Sequence, residues 1–189
     1  MNLIQLLSPS GTKEINITES NSKTLISIQN LKSEEKIGKK TEEIFSLIVN
    51  LSENCENANV TVVARYETNK KQRKIFNLSV FLYGKNQTVN IDVKGVSDDK
   101  SLLNFHGGGI ITKDSEKCSI EIVQKIYLFS EKAKAKATPI LRVETDNVLS
   151  ASHSASVAPF SKDIFFYMET RGISEKKAKE ILRKGLLKI

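Results

Sequence analysis

The chain has no tryptophan, three prolines, two methionines, two cysteines and two histidines in 189 residues. Each shortage excludes something. Cys55 and Cys118 are too few and too far apart for a disulfide framework. With no C-x-x-C and no histidine beside either, neither completes a zinc or iron–sulfur site, so each reads as a buried structural thiol. Reduced thiols suit the cytoplasm, the compartment expected for this chain. His106 and His153 are the only imidazoles, and G-x-S-x-G and H-E-x-x-H are both missing, so no catalytic constellation stands out. No run of 18 apolar residues occurs, and no membrane span is expected. Met1-Asn2-Leu3-Ile4-Gln5-Leu6-Leu7 lacks a basic region and a small-residue cleavage site, so it does not read as a signal peptide. Proline is too scarce for a Pro/Ser-rich linker. No strict period marks a ligand-binding repeat array.

What is present is β character and positive charge. Ile15/Ile17, Leu25/Ile28, Val60/Val62, Leu78/Val80/Leu82, Val89/Ile91/Val93 and Ile120/Ile122 alternate with polar residues or extend into short apolar runs. Turn residues recur between them, at 21–22, 53–57, 84–86 and 97–100. The charged segment 31–40 reads as a surface loop or turn. Many short strands with one apolar face fit a sandwich, a barrel or a solenoid, and periodicity alone does not choose among them. Net charge is +7, and residues 125–189 carry 13 Lys/Arg against 7 Asp/Glu. A basic C-terminal third suits an acidic protein, an anionic surface or a solvated face. No aromatics interleave with the lysines, so nucleic acid is not an expected partner.

The last residues change period. Ser161 is an N-cap with Asp163 in the first helical turn. Ile164, Phe165 and Met168 share a face, and Gly172 ends the helix by taking the left-handed conformation. Ser174 begins a second helix with Ala178, Ile181 and Leu182 as its stripe and a Glu175–Lys179 pair. The glycine run Phe105-His106-Gly107-Gly108-Gly109-Ile110 lacks the lysine and Ser/Thr of a P-loop and reads as a tight corner between strands.

The string His153-Ser154-Ala155-Ser156-Val157, followed at the matching interval by Tyr167-Met168-Glu169-Thr170-Arg171-Gly172-Ile173, resembles the C-terminal signature of the SufB/SufD family of iron–sulfur cluster assembly proteins. Ser130-Glu131-Lys132-Ala133, Pro139-x-Leu141-x-Val143 and Asp146-Asn147-Val148 resemble its upstream motifs, so the likeness runs from about Phe105 to Leu186. It implies a right-handed parallel β-helix over residues 1–159 and a short helical segment over 160–189, with the N-terminal region of the family shortened. It also implies a SufD-like rather than SufB-like chain, because the stretch before Pro139 has no cysteine.

By that resemblance the protein is a non-catalytic scaffold subunit. It binds no cofactor tightly by itself, though a transient Fe–S cluster or iron at a subunit interface would be met by His153. Its partners would be a SufC-type ABC ATPase and a SufB-type subunit or a second copy of itself. The ATPase surface would be the aromatic-and-basic patch of Phe166, Tyr167, Arg171, Gly172, Lys176 and Lys177. Two readings stand beside it: a free-standing β-solenoid module that binds protein or nucleic acid, and a β-helix carbohydrate enzyme, for which no carboxylate pair is singled out.

Overall fold

Two parallel sheets face each other across one continuous core. The structure, a computed structural model, describes residues 1–7, 10–31 and 42–188. Its strands are β1 (Asn2–Leu7), β2 (Gly11–Ile17), β3 (Lys23–Asn30), β4 (Glu42–Leu51), β5 (Asn59–Thr68), β6 (Arg73–Leu82), β7 (Thr88–Ser97), β8 (Leu102–Ile111), β9 (Cys118–Leu128), β10 (Lys134–Val143) and β11 (Val148–Pro159). Helices α1 (Lys162–Thr170) and α2 (Glu175–Leu186) follow. Odd strands form one sheet in the order β1-β3-β5-β7-β9-β11, and even strands form the other in the order β10-β8-β6-β4-β2. Every pairing is parallel, so the chain crosses from sheet to sheet at each turn and winds as a flattened β-solenoid. The expected β-helix with two C-terminal helices is what the chain forms. Of the charged segment 31–40, only Leu31 lies within the described residues.

Each turn of the solenoid is too short to bury its own apolar face, so like residues stack on like. Val60, Val89 and Ile120 are register partners, as are Val62, Ile91 and Ile122, and all six are buried. On the facing sheet Phe45, Phe76 and Phe105 form one column, and Tyr66 packs against the last two with ring centroids 5.1 and 5.5 Å away. At β10 this column shrinks to Ala137. Leu25, grouped with Ile28 in the strand pattern of the sequence, is half-buried on the outer side, and Ile26 and Ile28 supply the inward face of β3.

The turns explain why dissimilar repeats stay in step. Asn21, Asn57 and Asn86 have φ of 54, 55 and 54°. Asparagine tolerates this left-handed region better than most residues. Their backbone N–H groups donate to Glu56, Lys85 and Glu116 of the next turn at 2.8, 3.1 and 2.9 Å. Beneath them Gln87 donates to the Ser52 and Cys55 carbonyls at 2.8 and 2.7 Å. Cys55 and Cys118 are fully buried here, and burial pushes both thiols up from their ordinary pKa.

The glycine run is not a corner. Gly107, Gly108 and Gly109 lie within β8. A Cβ on Gly107, whose φ is 108°, would strike the Leu78 carbonyl, and one on Gly109 would strike Ile120. At Gly107 a positive φ would turn a side chain into the neighbouring strand of its own sheet, and at Gly109 the facing sheet approaches too closely for one; neither marks a turn.

Candidate functional site at the C-terminal end of the solenoid

Among the described residues, no strand pairs with the outer edge of β10 or β11. Strand alternation shows what this end presents. Lys134 donates its N–H to Ser101 beside β8, and Phe160 donates its N–H to Leu128 of β9. N–H direction alternates along a strand, so the odd-numbered residues of β10 and β11 aim their N–H groups at the open edges. Pro139 and Pro159 both fall in that set. Proline has no N–H to give, and an edge position is where a sheet tolerates it.

His153 sits in the middle of β11, in register with Ile122. Ala151, Ala155 and Val157 are in register with Ile120, Gln124 and Ile126. The four β9 residues are buried core, whereas their β11 partners are exposed. The core column therefore continues into solvent for one further strand, carrying the histidine. Val143, Leu149 and Val157 are exposed by 40, 68 and 39% at the same end, a concentration of apolar surface at two unpaired edges. Among the described residues no three His, Cys, Asp or Glu side chains gather as metal ligands. His153 offers one imidazole donor at this edge.

The tail is divided between packing and exposure. Ser161 accepts a hydrogen bond from the Asp163 N–H at 3.2 Å, as expected of an N-cap. Gly172 has φ of 76° and makes the turn between the helices. Ser174 occupies the second N-cap without a side-chain bond. Phe165 enters an aromatic cluster with Phe129 and Phe160, at centroid distances of 5.9 and 5.6 Å. Phe166 and Tyr167 remain 69 and 59% exposed. Arg171 lies 5.3 Å from the Tyr167 ring centroid, a cation–π pair. Lys176 is exposed, and Lys177 is engaged with Glu180 at 3.1 Å. Of the sequence-derived patch, then, Tyr167 and Arg171 are in contact and Gly172 shapes the turn beside them.

Of the expected α2 stripe, Ala178 is buried and Leu182 packs against the cluster of Val96, Phe129 and Leu187, while Ile181 faces solvent. Sequence reasoning missed the rest of what holds the tail down, beginning with Leu187, which is buried against Val96 and Phe129. Arg183 bonds to Asp98, reaches Glu67 at 3.3 Å and stacks over Phe129 at 5.7 Å. Lys179 lies 3.7 Å from Asp98. Burial raises the Glu67 carboxyl above its ordinary pKa, against the opposing pull of Arg183 and Lys74. No local pattern announces a bond between residues so distant in sequence; only the odd placement of Asp98 close to the apolar Val96 hints at a buried charge.

A family model described as "SUF system FeS cluster assembly, SufBD core domain" matches residues 41–186. The chain is 31% identical over 117 residues to the iron–sulfur cluster assembly protein SufD of Bacillus subtilis, covering 62% of this chain and 26% of that protein. It is 28% identical over 95 residues to SufD of Plasmodium falciparum, covering 50% and 6%. A SufBD family protein of Synechocystis is 25% identical over 89 residues, covering 47% and 19%. The chain thus spans about a quarter or less of the length of these relatives. With the match running through β4 to β11 and on into both helices, the chain belongs to the SufBD family of iron–sulfur cluster assembly proteins.

Proposed function

We propose that this chain is a non-catalytic, SufD-like scaffold subunit that works through its open solenoid end. The observation that carries this reading is the continuation of the core column into the unpaired strand β11, with His153 at its centre. An open parallel edge lined with apolar side chains is a template for a second chain. The second chain is a SufB-type subunit or another copy of this one. Pairing there would place His153 at the junction, where its neutral imidazole can ligate iron or a nascent cluster as cargo in transit. Further thiolate or imidazole donors belong to the second chain.

The exposed pair Phe166 and Tyr167, with Arg171 beside them, is the docking surface for a SufC-type ABC ATPase. The rings supply area to bury and the cation steers an acidic surface toward them. ATP chemistry belongs to that partner, and the work is cytoplasmic. The test is reconstitution of cluster assembly with the cognate partners. His153→Ala is expected to lower cluster yield while the complex stays intact on gel filtration. Equal yield from an intact complex would make His153 a structural residue only. Capture of no ATPase by the full-length chain would favour a free-standing solenoid module instead.

A further inference from the structure

One lateral edge of the solenoid carries a ladder of like charges. Arg73, Leu102 and Lys134 are register partners across β6, β8 and β10. Two residues earlier in the sequence, Lys71, Lys100 and Lys132 lie in the connecting turns and line the same groove. Register partners on neighbouring strands stand one strand spacing apart, ~4.8 Å. Together these side chains line a groove of about 730 Å³ floored by Leu102 and Ser101. Among the described residues, Asp99 and Glu131 are the carboxylates beside the ridge. Asp99 accepts the Lys70 N–H at 3.0 Å, and Glu131 is bound to Lys162 at 2.9 Å. Arg73 is paired with Glu42 at 3.3 Å. Among the described residues, Lys71, Lys100, Lys132 and Lys134 form no ion pair.

Lysines gathered this closely repel one another, at a cost to the isolated chain that an anionic partner would offset. We propose that this ridge docks an acidic segment of a partner protein, an extended stretch with several closely spaced Asp or Glu side chains laid along the solenoid axis. Same-face carboxylates of such a stretch stand ~7 Å apart, within reach of flexible lysine stems. The groove offers little to the other polyanions. Among the described residues its lining has no aromatic ring on which a base would stack and no helix N-terminus to cradle a phosphate. The Arg73 guanidinium is already occupied by Glu42.

The experiment is fluorescence anisotropy with a labelled hexaglutamate peptide, a hexaglutamine control and a labelled oligothymidylate, at about 50 and about 300 mM salt. The parent is expected to bind hexaglutamate, more weakly at the higher salt, and to ignore hexaglutamine. Combined Lys71→Gln, Lys100→Gln and Lys132→Gln should weaken hexaglutamate binding by about tenfold or more. Lys13→Gln, Lys113→Gln and Lys125→Gln together remove the same charge from positions elsewhere on the solenoid and should leave most of the affinity. If the triple ridge variant does not fold by circular dichroism, single Lys132→Glu serves in its place. Failure of the parent to bind, equal loss in the ridge and control variants, or tighter ridge-dependent binding of the oligothymidylate would each overturn the proposal.

Discussion

At Gly107 there is no room for a methyl group. Its φ of 108° is already costly for other residues, and an added Cβ would meet the Leu78 carbonyl, which belongs to a paired strand and cannot yield. Gly107→Ala is therefore expected to cost about 3 kcal/mol or more, read as a lowered midpoint in urea unfolding. Gly185→Ala makes the contrast. Gly185 lies in α2 with nothing within 4 Å of an added Cβ, so alanine should stabilise the chain by about 0.5–1 kcal/mol through helix propensity. If both substitutions destabilise alike, packing at β8 is not what selects glycine there. In the sequence, Gly107 reads only as a corner signal. The facing group that makes it indispensable is Leu78 of β6, and a single sequence does not say which strand will lie there.

Helix α2 is held to the solenoid by apolar contacts around Leu187 and by an ionic clamp around Asp98, whose side chain is 6% exposed. Arg183→Met keeps much of the stem but leaves Asp98, among the described residues, with Lys179 as its one remaining cation and the Asp99 N–H as a hydrogen-bond donor. Because the pair is partly solvated, the expected cost is about 2–3 kcal/mol, below that of breaking a fully buried pair. Loss of less than ~0.5 kcal/mol would show the clamp to be decoration on an apolar dock. The pH dependence follows from Glu67. Its folded pKa is raised by burial, so its contribution is present below the ordinary carboxylate pKa and is lost as pH rises through the folded value. The difference in Tm between the parent and the Glu67→Gln variant should therefore move in favour of the variant as pH is raised from about 4 to about 7. A difference that is flat across this range would contradict burial as the dominant influence. At this scale the helices are legible in the sequence, because Ser161, Gly172 and the Glu175–Lys179 pair are local signals. The strands β10 and β11 are not, since edge strands with a small or polar inward face, such as Ala151, His153 and Ala155, lack the alternation that marks a buried strand. The clamp is illegible because it joins residues that only the winding of the chain brings together. Removing the whole tail would uncover Val96 and Phe129, so the proposed ATPase surface is better tested by Phe166→Ala with Tyr167→Ala, which alters exposed side chains only. That double variant should lose ATPase capture in a pull-down with little change in Tm.

The molecule as a whole is open at both ends, at β1 and β2 and at β10 and β11, and the second end carries the histidine. Winding buries each turn against the next, and among the described residues no strand follows β11 in its sheet, so its inward column and its outward N–H groups are unpaired there. Pro139 and Pro159 blunt the two edges at single points but leave the N–H groups of Ala151, His153, Ala155 and Val157 free to pair. If a partner adds its own strand to this edge, a proline placed among those four should block association while sparing the fold. Ala155→Pro removes an N–H that points away from β9, so the pairing of β11 with β9 survives. Ser154→Pro removes one that points toward β9 and should disturb the solenoid itself. Sedimentation velocity measures association and circular dichroism measures the fold. The expected result is a self-associating or SufB-binding parent, a folded Ala155→Pro chain that stays monomeric, and a Ser154→Pro chain with a lowered Tm. A folded Ala155→Pro chain that associates as tightly as the parent would remove β11 from the interface. His153 would then lose its place at a subunit junction, since its position on the open strand is what puts it there.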